Sequence, residues 1–443
     1  MYLIQRERLW AHVDFKSLIT LLAHRLYAGK ALILYLAFLL AELLIVNQIS
    51  DLPVSLGARV YKAEQIATFT IPSDNFYGPG AALMLVPFLW ARENLIIAAA
   101  TYFLIGSWGY WKITSFVSNK IVRNIARTAL PVNSYLIWLI NSSQDTVFEF
   151  TLLVWSAYFL VRSRFVAFSL VTFLLCETRA GYWAFFLGTA LFLLVKDLVQ
   201  KKGIKFSKVL AYPLLVLAST FNFIVYDSPS PALEGGMTAY FSYSKYHYLS
   251  LPKMDMDAFL GGPQGIFSPD FKPKMPEGVT PAQEDKIYEQ AAIESALENK
   301  KETLLGWMQK FDSYFFDVQK VPHLPGLYVL DQSTKTINIE DERLSWNLVL
   351  GNLVFEIQRT LLVTLGFIAL GIWLASRMLL DAASRIRPRL GLLALPYLFG
   401  IVPGMLMYTE TRFKIVSELL LVPLIAEIYS LVIQRRKSLR KSN

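Results

Sequence analysis

Three acidic residues, Asp51, Asp145 and Glu149, stand at or near the ends of long apolar blocks, and Arg59, Arg179, Arg412 and Lys414 occupy similar positions. A carboxylate can take a proton from a hydroxyl that comes within hydrogen-bond reach. An arginine beside it can hold a phosphate through two parallel N–H bonds and neutralise it as it departs. Proton transfer beside anion binding is the chemistry these residue types offer. Metal chemistry has less to build on. His12, His24, His247 and His323 form no ligand spacing, and the single cysteine, Cys176, lies inside an apolar block. No protein-built zinc site, disulfide framework or other metal ligand set is therefore expected. The residues point to no particular cofactor, and a divalent cation is left open.

The elements that must position these residues are apolar helices. Of 443 residues 54% are hydrophobic and only 17% charged, which is more apolar than a soluble chain of this length. The apolar residues fall in blocks of roughly 16 to 22, the length that crosses a hydrocarbon layer as helix. The formal charge of +9 is unevenly spread: residues 227–343 hold 18 acidic and 11 basic residues, so the surplus lies elsewhere. It flanks the apolar blocks, at Lys112 to Arg127, Arg162 and Arg164, Lys196 to Lys202, and Arg435 to Lys441. That is the positive-inside pattern of a membrane protein, not a nucleic-acid patch. The first block, 31–47, has no small-residue cleavage site and reads as a retained first span.

The expected fold is an all-α polytopic membrane protein of about ten transmembrane helices with an extracytoplasmic domain of mixed loop and helix. Residues 1–226 form an N-terminal membrane region with a first outer loop at 49–78. Residues 227–346 form the outer domain, and 347–443 the C-terminal spans and a basic cytoplasmic tail. Spans are expected near 31–48, within 80–111, and near 123–141, 146–161, 207–226, 350–376, 390–408 and 415–433. Arg92-Glu93 splits the 80–111 block, where a short hairpin is the alternative. The stretch 165–195 reads as two short helices with Glu177-Thr178-Arg179 at the bend. In the outer domain one amphipathic helix is expected over 282–316.

With the basic segments inside, Asp51, Asp145, Glu149, Arg179 and Glu410-Thr411-Arg412 all fall on the outer face. A membrane enzyme working at one surface needs this arrangement. Acid, arginine and an apolar groove for a lipid carrier are together the parts for sugar transfer from a lipid phosphate.

At these residues the chain resembles the GT-C fold, the membrane glycosyltransferases related to protein mannosyltransferases and the lipid A aminoarabinose transferases. Asp51, then Tyr61, then Phe76-Tyr77-Gly78-Pro79-Gly80 are similar to the family's first acidic site and the element opening its next apolar block. Asp145 or Glu149 matches the second acidic site, and Thr178-Arg179 a recurring Thr-Arg pair. Glu298-Asn299-Lys300 through Lys310-Phe311 resembles an outer-domain helix without its proline, and Glu410-Thr411-Arg412-Phe413 with Pro423 a C-terminal element. The first acidic site is a single Asp51 where the family has a pair, and no peptide-acceptor signature is present.

The resemblance implies a polyprenyl- or dolichyl-phosphate sugar donor, an acceptor that is a glycan, lipid or protein, and no nucleic acid. It implies catalytic roles for Asp51, Asp145 and Glu149, and substrate contacts from Arg59, Tyr61, Arg179, Glu410, Arg412 and Lys414. The implied location is the bacterial inner membrane with the active face outside.

Plainer roles stand beside these. Asp51 before Pro53 suits a helix cap, Glu177 with Arg179 an internal ion pair, and Arg412 with Lys414 interfacial anchors. Two other functions compete. Thr178-Arg179-Ala180-Gly181 resembles the arginine-rich element of O-antigen-type polymerases and ligases, although their His/Arg outer loop is not evident. A transporter or non-catalytic assembly subunit would place its polar groups near the midplane on two related halves, and neither is seen.

Overall fold

The computed structural model describes residues 15–49, 57–71, 79–92, 94–133, 136–137, 139–140, 145–231, 235–243, 273–315, 329–331, 336–338, 390–406 and 414–442. These are mostly helical. One short antiparallel hairpin, Val329–Asp331 (β1) with Thr336–Asn338 (β2), adds strand to an outer region expected to hold loops and helices alone. Asp51, Glu410 and Arg412, and the span expected at 350–376, lie outside the described residues.

The first described element is α1 (Phe15–Ile49), which at 35 residues runs well beyond the expected first block. The short α2 (Gly57–Ala67) follows, and then α3 (Pro79–Leu85), whose proline sits where a helix's first N–H would have no partner. A 3₁₀ turn, Val86–Ala91, leads to α4 (Ile96–Thr114). The 80–111 block is thus two arms, with Arg92 between them bonded to Glu64 of α2 at 3.1 Å. Tyr102 of α4 reaches back to donate to the Met84 carbonyl of α3 at 2.6 Å.

The expected helix over 123–141 is not continuous. Helix α5 (Lys120–Thr128), capped by the Asn119 side chain, stops before Pro131, whose ring and missing N–H disfavour helix in the preceding turn. Asn133 then accepts the Leu136 N–H at 3.1 Å, and helix resumes there. Four helices come next: α6 (Thr146–Val161), α7 (Phe165–Thr178), α8 (Tyr182–Val199) and α9 (Ala211–Tyr226). The bend between α7 and α8 falls at Arg179–Gly181, as its charges suggest.

The next region holds α10 (Gly235–Tyr243), α11 (Pro281–Glu298) and α12 (Lys300–Phe315). The single helix expected over 282–316 is therefore two, parted at Asn299 with ψ of 53°. A capping box between Thr280 and Gln283 starts α11, with Pro281 in its first turn. The last described elements are a 3₁₀ turn at Leu390–Ala394, α13 (Leu395–Leu406) and α14 (Ile415–Ser442).

Close packing fixes the bundle. Cβ atoms built on Gly106 and Gly109 of α4 would lie 2.5 Å from the Phe150 ring and 2.8 Å from Val154 of α6. Small residues let helix backbones approach this closely. Thr151 donates to the Tyr102 carbonyl at 2.7 Å and Trp155 to that of Ile105 at 3.1 Å. Both pairings advance in the same direction, so α4 and α6 run parallel. The other ends of these helices meet α14 near Ser118, whose N–H donates to Glu427 at 2.6 Å. We call the end where α6 and α8 begin the upper end, and the opposite end the lower.

Among the described residues two helices, Tyr182–Val199 and Ile415–Gln434, are long and apolar enough to cross a membrane, and the second is the more enclosed by the rest of the bundle. Large apolar side chains remain exposed on the outside of the bundle, including Ile33, Leu34 and Phe38 of α1 and Val216, Leu217 and Ile224 of α9.

Candidate functional site

The first turn of α6 organises the upper end. The Glu149 N–H donates to the Asp145 carbonyl at 2.9 Å, so the two carboxylates stand one turn apart on the same helix face. Each engages an arginine from a different element. Arg59 of α2 donates Nε to Asp145 Oδ1 at 2.8 Å and Nη2 to Oδ2 at 2.7 Å, a two-pronged contact in which Arg59 is only 1% exposed. Arg179, at the end of α7, donates Nη1 to Glu149 Oε2 at 2.5 Å, and the Tyr182 hydroxyl donates to Glu149 Oε1.

The two pairs differ in access. Glu149 has no exposure, yet 19% of the Arg179 side chain remains exposed. A buried carboxylate thus fixes the guanidinium of a side chain that is still partly exposed. Arg59 and Asp145 are almost wholly enclosed and tie α2 to α6.

In this arrangement Asp145 and Glu149 each hold an arginine in place. Tyr61, expected beside Arg59 as a substrate contact, is 58% exposed and lies on a different side of α2. Lys414 precedes α14 at the upper end and is buried at 1% exposure; its carbonyl accepts the Glu418 N–H at 2.8 Å. Tyr182 was not singled out in the sequence. Its spacing of three from Arg179 across a helix start was the available signal.

One further contact sets the position of Arg179. A Cβ on Gly80 would fall 2.6 Å from the Thr178 nitrogen, the Thr178 hydroxyl and the Leu174 carbonyl. The start of α3 thus lies directly against the end of α7. Gly80 acts here by its smallness.

Helices α10, α11 and α12 hold a second group of ionisable residues, half-buried or buried. Asp285 of α11 accepts from the Gly236 and Met237 N–H groups at 2.9 and 3.2 Å, capping α10 from a neighbouring helix. Burial pushes its carboxyl up to about 6, against the pull of those backbone bonds. Ser295 donates to the Tyr243 carbonyl at the far end of α10. Lys310 of α12 lies 4.7 Å from the centre of the Tyr243 ring, and burial lowers its ammonium to about 8. The Trp307 indole N–H donates to the Tyr243 hydroxyl at 2.9 Å. No group of three or more potential metal ligands occurs among the described residues.

Compared with models of known protein families and with curated proteins, the chain matches none.

Proposed function

We propose that the protein is a multi-pass membrane glycosyltransferase that moves a sugar from a polyprenyl- or dolichyl-phosphate to an acceptor at the extracytoplasmic surface. The observation that carries this reading is Arg179, held by the fully buried Glu149 while part of its side chain stays exposed. A guanidinium fixed in advance can meet a departing phosphate without reorganising, which is where such groups contribute most to rate. Charged residues within apolar helices default to a functional role.

Membrane embedding is supported by the apolar composition, by the exposed apolar faces of α1 and α9, and by the charge asymmetry between the two ends of the bundle. In this reading about ten helices span the bilayer, the upper end faces outward, and the region 227–346 covers it. A bacterial inner membrane is the compartment that fits a polyprenyl carrier.

The step balances as follows. The acceptor oxygen forms a bond to the anomeric carbon while the bond from that carbon to the donor phosphate oxygen breaks. The electron pair leaves on the phosphate, beside Arg179, with Arg412 and Lys414 assigned to the same anion. The acceptor's proton passes to Asp51, since Asp145 and Glu149 are engaged in holding arginines. Tyr61 and Glu410 are assigned to substrate.

Purified protein in liposomes, supplied with lipid-phosphate sugar and acceptor, tests this. Arg179→Lys keeps the charge but loses the planar fork, and should lower transfer at least about a hundredfold with little change in folding. Asp51→Asn should abolish transfer. Normal turnover in Arg179→Lys would remove the proposed site.

A second reading, an O-antigen-type polymerase or ligase, is favoured by one feature: the part-exposed Arg179 stands within Thr178-Arg179-Ala180-Gly181, and a diphosphate leaving group would meet the same guanidinium. Competition by polyprenyl diphosphate but not monophosphate would select it.

A further inference from the structure

The lower end of the bundle carries a cleft of about 890 Å³ between the start of α7, the end of α8 and a 3₁₀ turn at Phe206–Lys208, with Leu392 on one side. This lies within the usual range of ligand sites, about 300–1,000 Å³. The chain reversal after α8 builds one wall. Lys201 adopts φ of 51°, and the Lys202 N–H donates to the Asp197 carbonyl at 2.9 Å, turning Lys202 and Lys205 back to the cleft.

Five basic residues line it, Arg164, Lys196, Lys202, Lys205 and Lys208, against a single carboxylate, Asp197. Lys208 engages both Asp197 oxygens, at 2.7 and 2.5 Å, and lies 5.3 Å from the centre of the Phe165 ring. The one negative charge is thus matched locally and the field of the cleft is positive. The α7 N-terminus, with its own partial positive charge, points the same way. The remaining wall is apolar and faces outward: Val166 is 52% and Leu170 58% exposed.

We propose that this cleft binds a phosphate group carried on a lipid, with the headgroup of an anionic phospholipid among Arg164, Lys202 and Lys205 and an acyl chain along Val166 and Leu170. A soluble anion would use the basic residues alone; an amphiphile uses both walls. The site rests on the reading of the chain as membrane-embedded but not on sugar transfer, and shares no residue with the upper end. Basic recesses between helices at a cytoplasmic membrane face suit such headgroups.

Full-length protein in a neutral detergent is titrated with phosphatidylglycerol, phosphatidylcholine or inorganic phosphate. Bound lipid is counted by native mass spectrometry and stability is followed by thermal unfolding. Phosphatidylglycerol should bind and raise the unfolding temperature, and phosphatidylcholine should do neither. Each exposed basic residue should contribute on the order of fivefold. The combined Arg164→Gln, Lys202→Gln and Lys205→Gln variant should therefore need at least about tenfold more phosphatidylglycerol for half-saturation, its lipid-free unfolding temperature unchanged. Lys205→Glu alone gives the same direction should the triple variant fold poorly. Equal binding of phosphatidylcholine, or unchanged binding by both variants, overturns the proposal. So does an effect of inorganic phosphate that matches the lipid, which would make the ligand a soluble phosphate. A protein that is monodisperse without detergent would overturn the membrane reading and the cleft's assignment with it, whereas lipid binding without sugar transfer would leave the cleft standing and remove only the transferase.

Discussion

The two ends of the bundle use the same kinds of side chain in opposite ways. At the upper end two arginines each meet a buried carboxylate: the enclosed Arg59 with Asp145, and the part-exposed Arg179 with Glu149, which Tyr182 also engages. At the lower end basic residues outnumber acids in an open cleft, where Lys208 pairs with Asp197. A buried pair fixes geometry, at the cost of removing two charges from water. An open basic cluster fixes little, but attracts anions and weakens with salt. The first kind of site suits a reaction that needs an arginine in one place. The second suits binding of a group whose position can vary.

Breaking the upper pairs should have the largest effect. Glu149→Ala leaves Arg179 and Tyr182 without the carboxylate that both engage and should cost about 3–5 kcal/mol, read from denaturation of the purified protein. Combining Glu149→Gln with Arg179→Met should recover much of that stability without recovering transfer. Recovery of both would reduce the upper end to a structural feature.

Gly80→Ala should come next. Its Cβ meets backbone atoms of Leu174 and Thr178 at 2.6 Å, so α3 or the end of α7 must move, at about 1–3 kcal/mol. Because Arg179 follows Thr178, transfer should fall further than stability does.

Asp285 gives a smaller, pH-dependent effect. Its folded pKa, about 6, lies above the ordinary 3.8, so between these values the folded form holds more protons than the unfolded one. Its contribution to stability is full below about pH 4 and falls as pH rises through 6. Asp285→Asn keeps an acceptor for the Gly236 and Met237 N–H groups without the charge, and should flatten the loss seen in unfolding measurements between pH 4 and 7. At the lower end, Lys202→Gln without lipid should change stability by less than about 0.5 kcal/mol. A larger loss would mean that the cleft is part of the fold and not an open site.

The sequence made local features legible and left their partners hidden. The spacing of Asp145 and Glu149 placed both on one turn, and the charges at Glu177–Arg179 marked the α7–α8 bend. The pairing of Arg59 with Asp145, 86 residues apart, is decided by tertiary packing, which a single sequence does not carry. Two helix breaks were read over for opposite reasons. At Pro131 block hydropathy outweighed a local signal that was present. At Asn299 an apolar period continues from α11 into α12, and the separation appears only where the backbone leaves the helical region. That Asp145 and Glu149 each hold an arginine is seen only in the hydrogen bonds, which residue type alone leaves open.

Helix α13 takes on a mechanical meaning from its position. It follows the turn containing Leu392, which lines the lower cleft, and it packs against both α8 and α12. Phe399 fills the space at Gly188 so closely that a Cβ there would lie 2.4 Å from the ring. Such a contact does not compress, so α13 and α8 behave as one strut between the cleft and the outer helices. If occupation of the cleft alters the tilt of that strut, linkage requires the reverse as well: whatever displaces α12 must alter the cleft's affinity for its ligand by the same factor.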